Sequence, residues 1–136
     1  RVVSVAYYTL VNINHINLAV QDHELHWHSI HQVGNMAFDH NEILNTCLIR
    51  LQERIKAEPI GFNLLPEKFS MRSLQLLYES VLMVDLDRRN FRKKVMGTGL
   101  LIDMKELESD VPHRPAKLFK FNSEKYRQQD IKGNFV

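Results

Sequence analysis

Two short amphipathic segments, separated by a turn of about three residues, constrain this chain most. Ser70 has the chemistry of an N-cap and precedes apolar positions Leu74, Leu77, Tyr78, Val81 and Leu82, which predicts a helix to about Met83. Val84 to Leu86 forms the turn. Asp87 caps a second helix over Arg88 to about Met96, and Gly97 and Gly99 stop it. At roughly 100° per residue, Arg88, Arg92, Arg89 and Lys93 share one sector of about 140°. Phe91 and Val95 fall beside it, toward the first helix, while Asn90 and Lys94 flank the far side. One face of the second helix docks and the other is almost wholly cationic.

Charge is unevenly distributed to match. The formal net charge is only +2. Residues 1–66 hold four Lys/Arg against six Asp/Glu, and residues 67–136 hold fourteen against ten. Five of those cations lie between Arg88 and Lys94. Pro59, Gly61 and Pro66 punctuate the change. We therefore expect two parts, residues 1–58 and residues 59–136.

A helix with such a face suits duplex DNA. Lys and Arg neutralise phosphates with release of counterions. In the major groove Arg can bridge guanine O6 and N7, and Asn can bridge adenine N6 and N7. Residues early in a recognition helix make such contacts, which points to Arg88, Arg89, Asn90 and Arg92. Lys93 and Lys94 would meet backbone. Arg72 and Ser73, early in the preceding helix, are candidates for phosphate. A short strand is expected over Leu100 to Ile102, a charged loop over 103–112, a turn at Pro112-His113-Arg114-Pro115, and a strand over Lys117 to Phe121. This strand-turn-strand could be a wing carrying Arg114 and Lys117 to the backbone. The competing reading is a solvated charged face, or a basic module that meets an acidic protein.

The first part is less distinctive. Val2 to Val11 reads as a buried strand and residues 24–30 as a half-buried one. Asp39 and Glu42 have capping-box spacing, and Ile43, Leu44, Cys47, Leu48, Leu51 and Ile55 make one stripe of a helix ending near Glu58. His23, His26, His28 and His31 lack the supporting ligand set of a zinc site, and no nucleophile motif surrounds Ser29. Cys47 fits the apolar stripe as a core residue. We expect no metal, no cofactor and no catalytic residue. No apolar run approaches the roughly 18 residues of a membrane span, and the lone cysteine fits a reducing, cytoplasmic setting. The chain opens Arg1-Val2-Val3, without Met and inside a strand-like run, and reads as a piece of a longer protein.

Three segments carry a family resemblance. Leu64-Leu65-Pro66-Glu67-Lys68-Phe69-Ser70, followed by Leu74-Gln75-Leu76-Leu77-Tyr78-Glu79-Ser80, resembles the entry to the C-terminal winged-helix domain of Nudix-related transcriptional regulators. Leu86-Asp87-Arg88-Arg89-Asn90-Phe91-Arg92-Lys93-Lys94 resembles their recognition helix. Arg114-Pro115-Ala116-Lys117-Leu118-Phe119-Lys120-Phe121 resembles the wing strand. Val3-Ser4-Val5-Ala6-Tyr7-Tyr8 and Ala37-Phe38-Asp39-His40-Asn41-Glu42-Ile43-Leu44 are similar to the later part of the family's Nudix-like effector domain. The resemblance implies an α+β chain: a winged helix-turn-helix domain preceded by a truncated Nudix-like α/β sandwich remnant. It also implies a homodimer that binds double-stranded operator DNA under control of a small effector, either a sugar or an ADP-ribose-type nucleotide. The Nudix carboxylate signature does not occur in these residues, so no pyrophosphate hydrolysis is expected. The alternative is a fragment of a Nudix hydrolase with an accessory basic domain.

Overall fold

A computed structural model describes residues 5–11, 26–109 and 111–128. The chain divides into two compact units, Arg1–Arg50 and Leu51–Val136.

In the first unit, the expected strand over Val2 to Val11 does not form among its described residues, 5–11. Residues 26–29 carry no strand either, and Ile30–Gln32 make one 3₁₀ turn. A strand needs a partner for its backbone N–H and C=O groups, and none pairs with these segments among the described residues. Residues 2–4, 24 and 25 lie outside them, as does His23. The expected helix is present as α1, His40–Ala57, which runs from the first unit into the second at Leu51. Asn41 ties its start to the preceding chain: its Oδ1 accepts from Met36 N at 2.7 Å and its Nδ2 donates to Gly34 O at 3.1 Å. Cys47 is half-buried, so it does not sit deep in a core.

The second unit holds the core. After a 3₁₀ segment, Ile60–Leu64, come β1 (Phe69–Ser70), α2 (Met71–Leu82), α3 (Arg88–Gly97), β2 (Leu101–Leu107), β3 (Lys117–Phe121) and α4 (Ser123–Gln128). The sheet is antiparallel in the order β1-β3-β2. Leu74, Tyr78 and Leu82 of α2 meet Phe91 and Val95 of α3, Leu100, and Phe119 of β3 in one buried cluster that also takes Ile55 and Phe62. Tyr78 and Phe91 rings lie 5.7 Å apart at 59°, and Phe62 stacks on Phe121 at 4.3 Å. Each fully buried side chain of this size contributes about 1.5–3 kcal/mol by leaving water.

The ends of α2 and α3 follow from local chemistry. Ser70 Oγ accepts from Ser73 N, and Asp87 Oδ1 accepts from Asn90 N at 2.8 Å. Met83 closes α2 in the left-handed region at φ 57°, where glycine is usual. Gly97 lies inside α3, and Gly99, at φ +65°, makes the reversal.

Two expectations are corrected here. The charged stretch after Ile102 is not loop from its start, because β2 continues to Leu107. Pairing with β3 satisfies its backbone, and Lys68 and Lys117 neutralise Glu106 and Asp103 on it. An irregularity between Asp103 and Leu107, with Lys105 at φ 56°, absorbs the poor strand pattern. Strand β1 and helix α4 were not expected at all.

Candidate nucleic-acid interface

The turn between α2 and α3 is held by side chains. Gln75 Nε2 donates to Glu79 Oε1 at 2.8 Å and to Leu86 O at 2.9 Å. Leu86 N donates to the same Glu79 oxygen at 3.0 Å. These two donors hold the Glu79 carboxyl below its ordinary pKa, the Gln75 bond being the larger cause and the Leu86 N–H the next.

The loop between β2 and β3 is clasped at its base. Glu108 N donates to Ala116 O at 2.9 Å, and Ala116 N donates to Glu108 Oε2 at 3.1 Å. Arg114 lies in the loop that this clasp closes. Asp103 Oδ1 accepts from Lys105 N at 2.8 Å and Asp103 Oδ2 faces Lys117 Nζ at 3.6 Å. These lower the Asp103 pKa, the Lys105 N–H first and the Lys117 charge after it.

Between α2, α3 and β3 lies a cleft of about 370 Å³. Arg72 and Gln75 line it from α2, Arg88 and Arg92 from α3, and Arg114 and Lys117 from the wing side. Residues 42 positions apart in sequence thus share one surface. The spacing of Arg88 and Arg92 places them one turn apart on the same helix face. Among the described residues, the ion pairs are Arg54–Glu58, Lys68–Glu106, Lys117–Asp103 and Lys120–Glu67. None of them takes Arg72, Arg88, Arg92 or Arg114. Four arginines therefore line one cleft with no carboxylate of the described residues within ion-pair distance, each with planar donors suited to phosphate or guanine.

The other expected residues are placed differently. Ser73 is spent on the cap of α2, with its Oγ 2.9 Å from Ser70 Oγ. Arg89 and Lys93 are exposed on α3 outside the cleft lining. Asn90 and Lys94 line a separate groove of about 300 Å³ with Lys56, Leu82, Val84, Leu86 and Phe91. Gln75, Glu79 and Glu108 were missed; their signal is a polar residue on the half-buried side of an amphipathic helix, or an acid in a turn. Lys68 and Lys120, equally basic in sequence, are paired with Glu106 and Glu67.

In the first unit, Ala6, Tyr8, Asp39, Glu42, Ile43, Thr46, Cys47 and Arg50 line a groove of about 370 Å³. Among the described residues, no group of three or more His, Cys, Asp or Glu is placed to hold a metal. No helix among them is long and apolar enough to cross a membrane.

A helix pair whose second member is cationic outward, followed by a β2–β3 hairpin that completes a three-stranded antiparallel sheet with β1, defines a winged helix-turn-helix. Residues 61–121 match the family model of the NrtR DNA-binding winged helix domain. The resemblance to Nudix-related transcriptional regulators is thereby borne out. The chain is 27% identical over 127 residues to the ADPR responsive transcriptional repressor NtrR of Acinetobacter baylyi, covering 91% of this chain and 50% of that protein. It is similar to Shewanella oneidensis NrtR complexed with a 27mer DNA, with a TM-score of 0.54 and 28% identity over 64% of this chain and 39% of the other. A second structure of Shewanella oneidensis NrtR aligns with a TM-score of 0.52 at the same identity and coverage. The chain spans half the length of the curated relative it matches and about two fifths of the solved chains.

Proposed function

We propose that this chain is the DNA-binding part of a transcriptional regulator, recognising operator DNA through its winged helix. The observation that carries the reading is the cleft: Arg72, Arg88, Arg92 and Arg114 line it together, none of them in an ion pair among the described residues, on a domain matched by the NrtR model. Arg88 and Arg92 read base edges or clamp phosphate, with Arg89 beside them on α3. Arg72, Lys93, Arg114 and Lys117 meet backbone. Asn90 and Lys94, turned to the second groove, sit at the margin of the footprint, and Ser73 acts indirectly, through the cap that starts α2 beside Arg72. The partner is a palindromic duplex bound by a homodimer. Residues 1–58 are the end of a Nudix-like effector domain, and residues 59–136 are the reader. The effector is an ADP-ribose-type nucleotide, by likeness to the ADPR-responsive Acinetobacter repressor. Its binding changes operator affinity, and the protein acts in the cytoplasm as a regulator and not as an enzyme.

Enrichment from a random duplex pool, followed by fluorescence anisotropy on the enriched site, tests this. Arg88→Ala with Arg92→Ala should weaken binding by at least tenfold, since each good base contact is worth about 1–3 kcal/mol. Unchanged binding by that variant, or no enrichment at all, would overturn the reading.

A further inference from the structure

The recognition helix of a winged helix is only as well placed as its anchorage to the helix before it. Here that anchorage has an apolar part and a polar part. One is apolar: the Tyr78 and Phe91 rings, 5.7 Å apart in the core. The other is polar and half-exposed: Glu79 Oε1, which accepts from both Leu86 N and Gln75 Nε2, while Gln75 Nε2 also reaches Leu86 O. Glu79 and Gln75 are one turn apart on α2, and Leu86 immediately precedes the Asp87 cap of α3. Holding the chain just before the helix as well as its buried face constrains its tilt more than the buried face alone.

The chemistry of the polar point is closed. Both partners of the Gln75 amide, the Leu86 carbonyl and the Glu79 carboxylate, are acceptors, so its nitrogen must face them. Leu86 N–H and C=O sit in a turn with no ladder to join, and these side chains satisfy both. Gln75 also lines the cationic cleft beside Arg88 and Arg92. The same residue therefore touches the turn and borders the proposed DNA surface.

We infer that Glu79 and Gln75 are positioning residues for nucleic-acid binding, setting the tilt of α3 and hence the placement of Arg88 and Arg92 in the cleft. This rests on the proposed DNA-binding reading, and neither side chain needs to touch DNA for it to hold.

The test uses the full chain with its enriched duplex, the variants Glu79→Leu, Glu79→Gln and Gln75→Leu, and amide hydrogen exchange on each. One oxygen of Glu79 takes both bonds, so Glu79→Gln keeps the acceptor and should retain most of the affinity. Glu79→Leu should lose affinity on the order of tenfold, the scale of one misplaced base contact. Gln75→Leu should fall similarly, and the double Leu variant should be no worse than the single ones because they break one unit. Exchange at Leu86 and the first turn of α3 should quicken in the Leu variants, with the Leu74 and Tyr78 amides still protected. Equal losses in Glu79→Gln and Glu79→Leu, or none in Glu79→Leu, would overturn the inference. If the unaltered chain binds no duplex, the DNA reading has failed by itself. Exchange then decides whether the clamp holds α3, and unchanged rates at Leu86 would end that claim also.

Discussion

Lys125 Nζ donates a 2.9 Å hydrogen bond to the carbonyl of Gly99, joining the helix after the wing to the turn before it. Gly99 is the residue that turns the chain out of α3, at φ +65°. Its N–H bonds to Met96 O, and Asn122 N bonds back to Leu100 O. Helix α4 starts with Asn122 Oδ1 accepting from Lys125 N. The α3–β2 corner is held from both directions.

Gly99→Ala should destabilise the domain by about 1–2 kcal/mol, the cost of an L-residue in the left-handed region. A Cβ there would stand 2.4 Å from Lys125 Nζ, but that flexible end can move aside. Thermal melting should therefore show a similar loss for Gly99→Ala with Lys125→Met in place. A full recovery in the double variant would show that the clash, not the backbone, set the cost.

Ser70→Ala should cost about 1–2 kcal/mol, because Ser70 is only 2% exposed and its hydroxyl caps α2. It also pairs with Leu118 in the sheet, so its backbone stays fixed when the cap is lost. A midpoint lower by about 4–8 °C per kcal/mol is expected from a domain this small. An unchanged midpoint would show that the Ser70 hydroxyl does not stabilise α2.

The winged helix was legible because its signals are local. Ser70 and Asp87 cap where they stand in sequence, and Leu74, Tyr78, Leu82, Phe91 and Val95 keep the helical period that they bury with. What escaped depends on distant partners. Strand β1 is two residues long and exists only because Phe69 and Ser70 meet Phe119 and Leu118. The acidic stretch after Ile102 looks like loop until Lys68 and Lys117 stand opposite it. The cationic face of α3 was read as one stripe, yet the cleft takes Arg88 and Arg92 and leaves Asn90 and Lys94 to another groove. Periodicity gives the direction of a side chain from its own helix, and the neighbouring wing decides which of those directions becomes a site.

Stability should fall on the acid side for a stated set of groups. Glu67 is held below its ordinary pKa by the hydrogen bond and charge of Lys120, Glu79 by Gln75 and Leu86 N, and Asp103 by Lys105 N and Lys117. A lowered folded pKa favours the folded state above the unfolded value, roughly 4 for carboxylates, and that stability goes as pH falls through the folded value. Thermal midpoints should be insensitive to these groups above about pH 5 and decline below about pH 4. Glu67→Gln with Asp103→Asn should make the decline shallower. An identical acid profile would show that these pairings do not stabilise the fold.

The most direct test of the central claim is the salt dependence of duplex binding. Each cation that meets a phosphate contributes about 0.9 to the slope of log affinity against log salt. Replacing Arg88, Arg92 and Arg114 with Ala should flatten that slope by about one to three units and weaken binding strongly. Replacing Lys68 and Lys120, which are paired with Glu106 and Glu67, should leave it nearly unchanged. A slope that survives the arginine replacements, or falls as much with the two lysines, would contradict the cleft as the nucleic-acid surface.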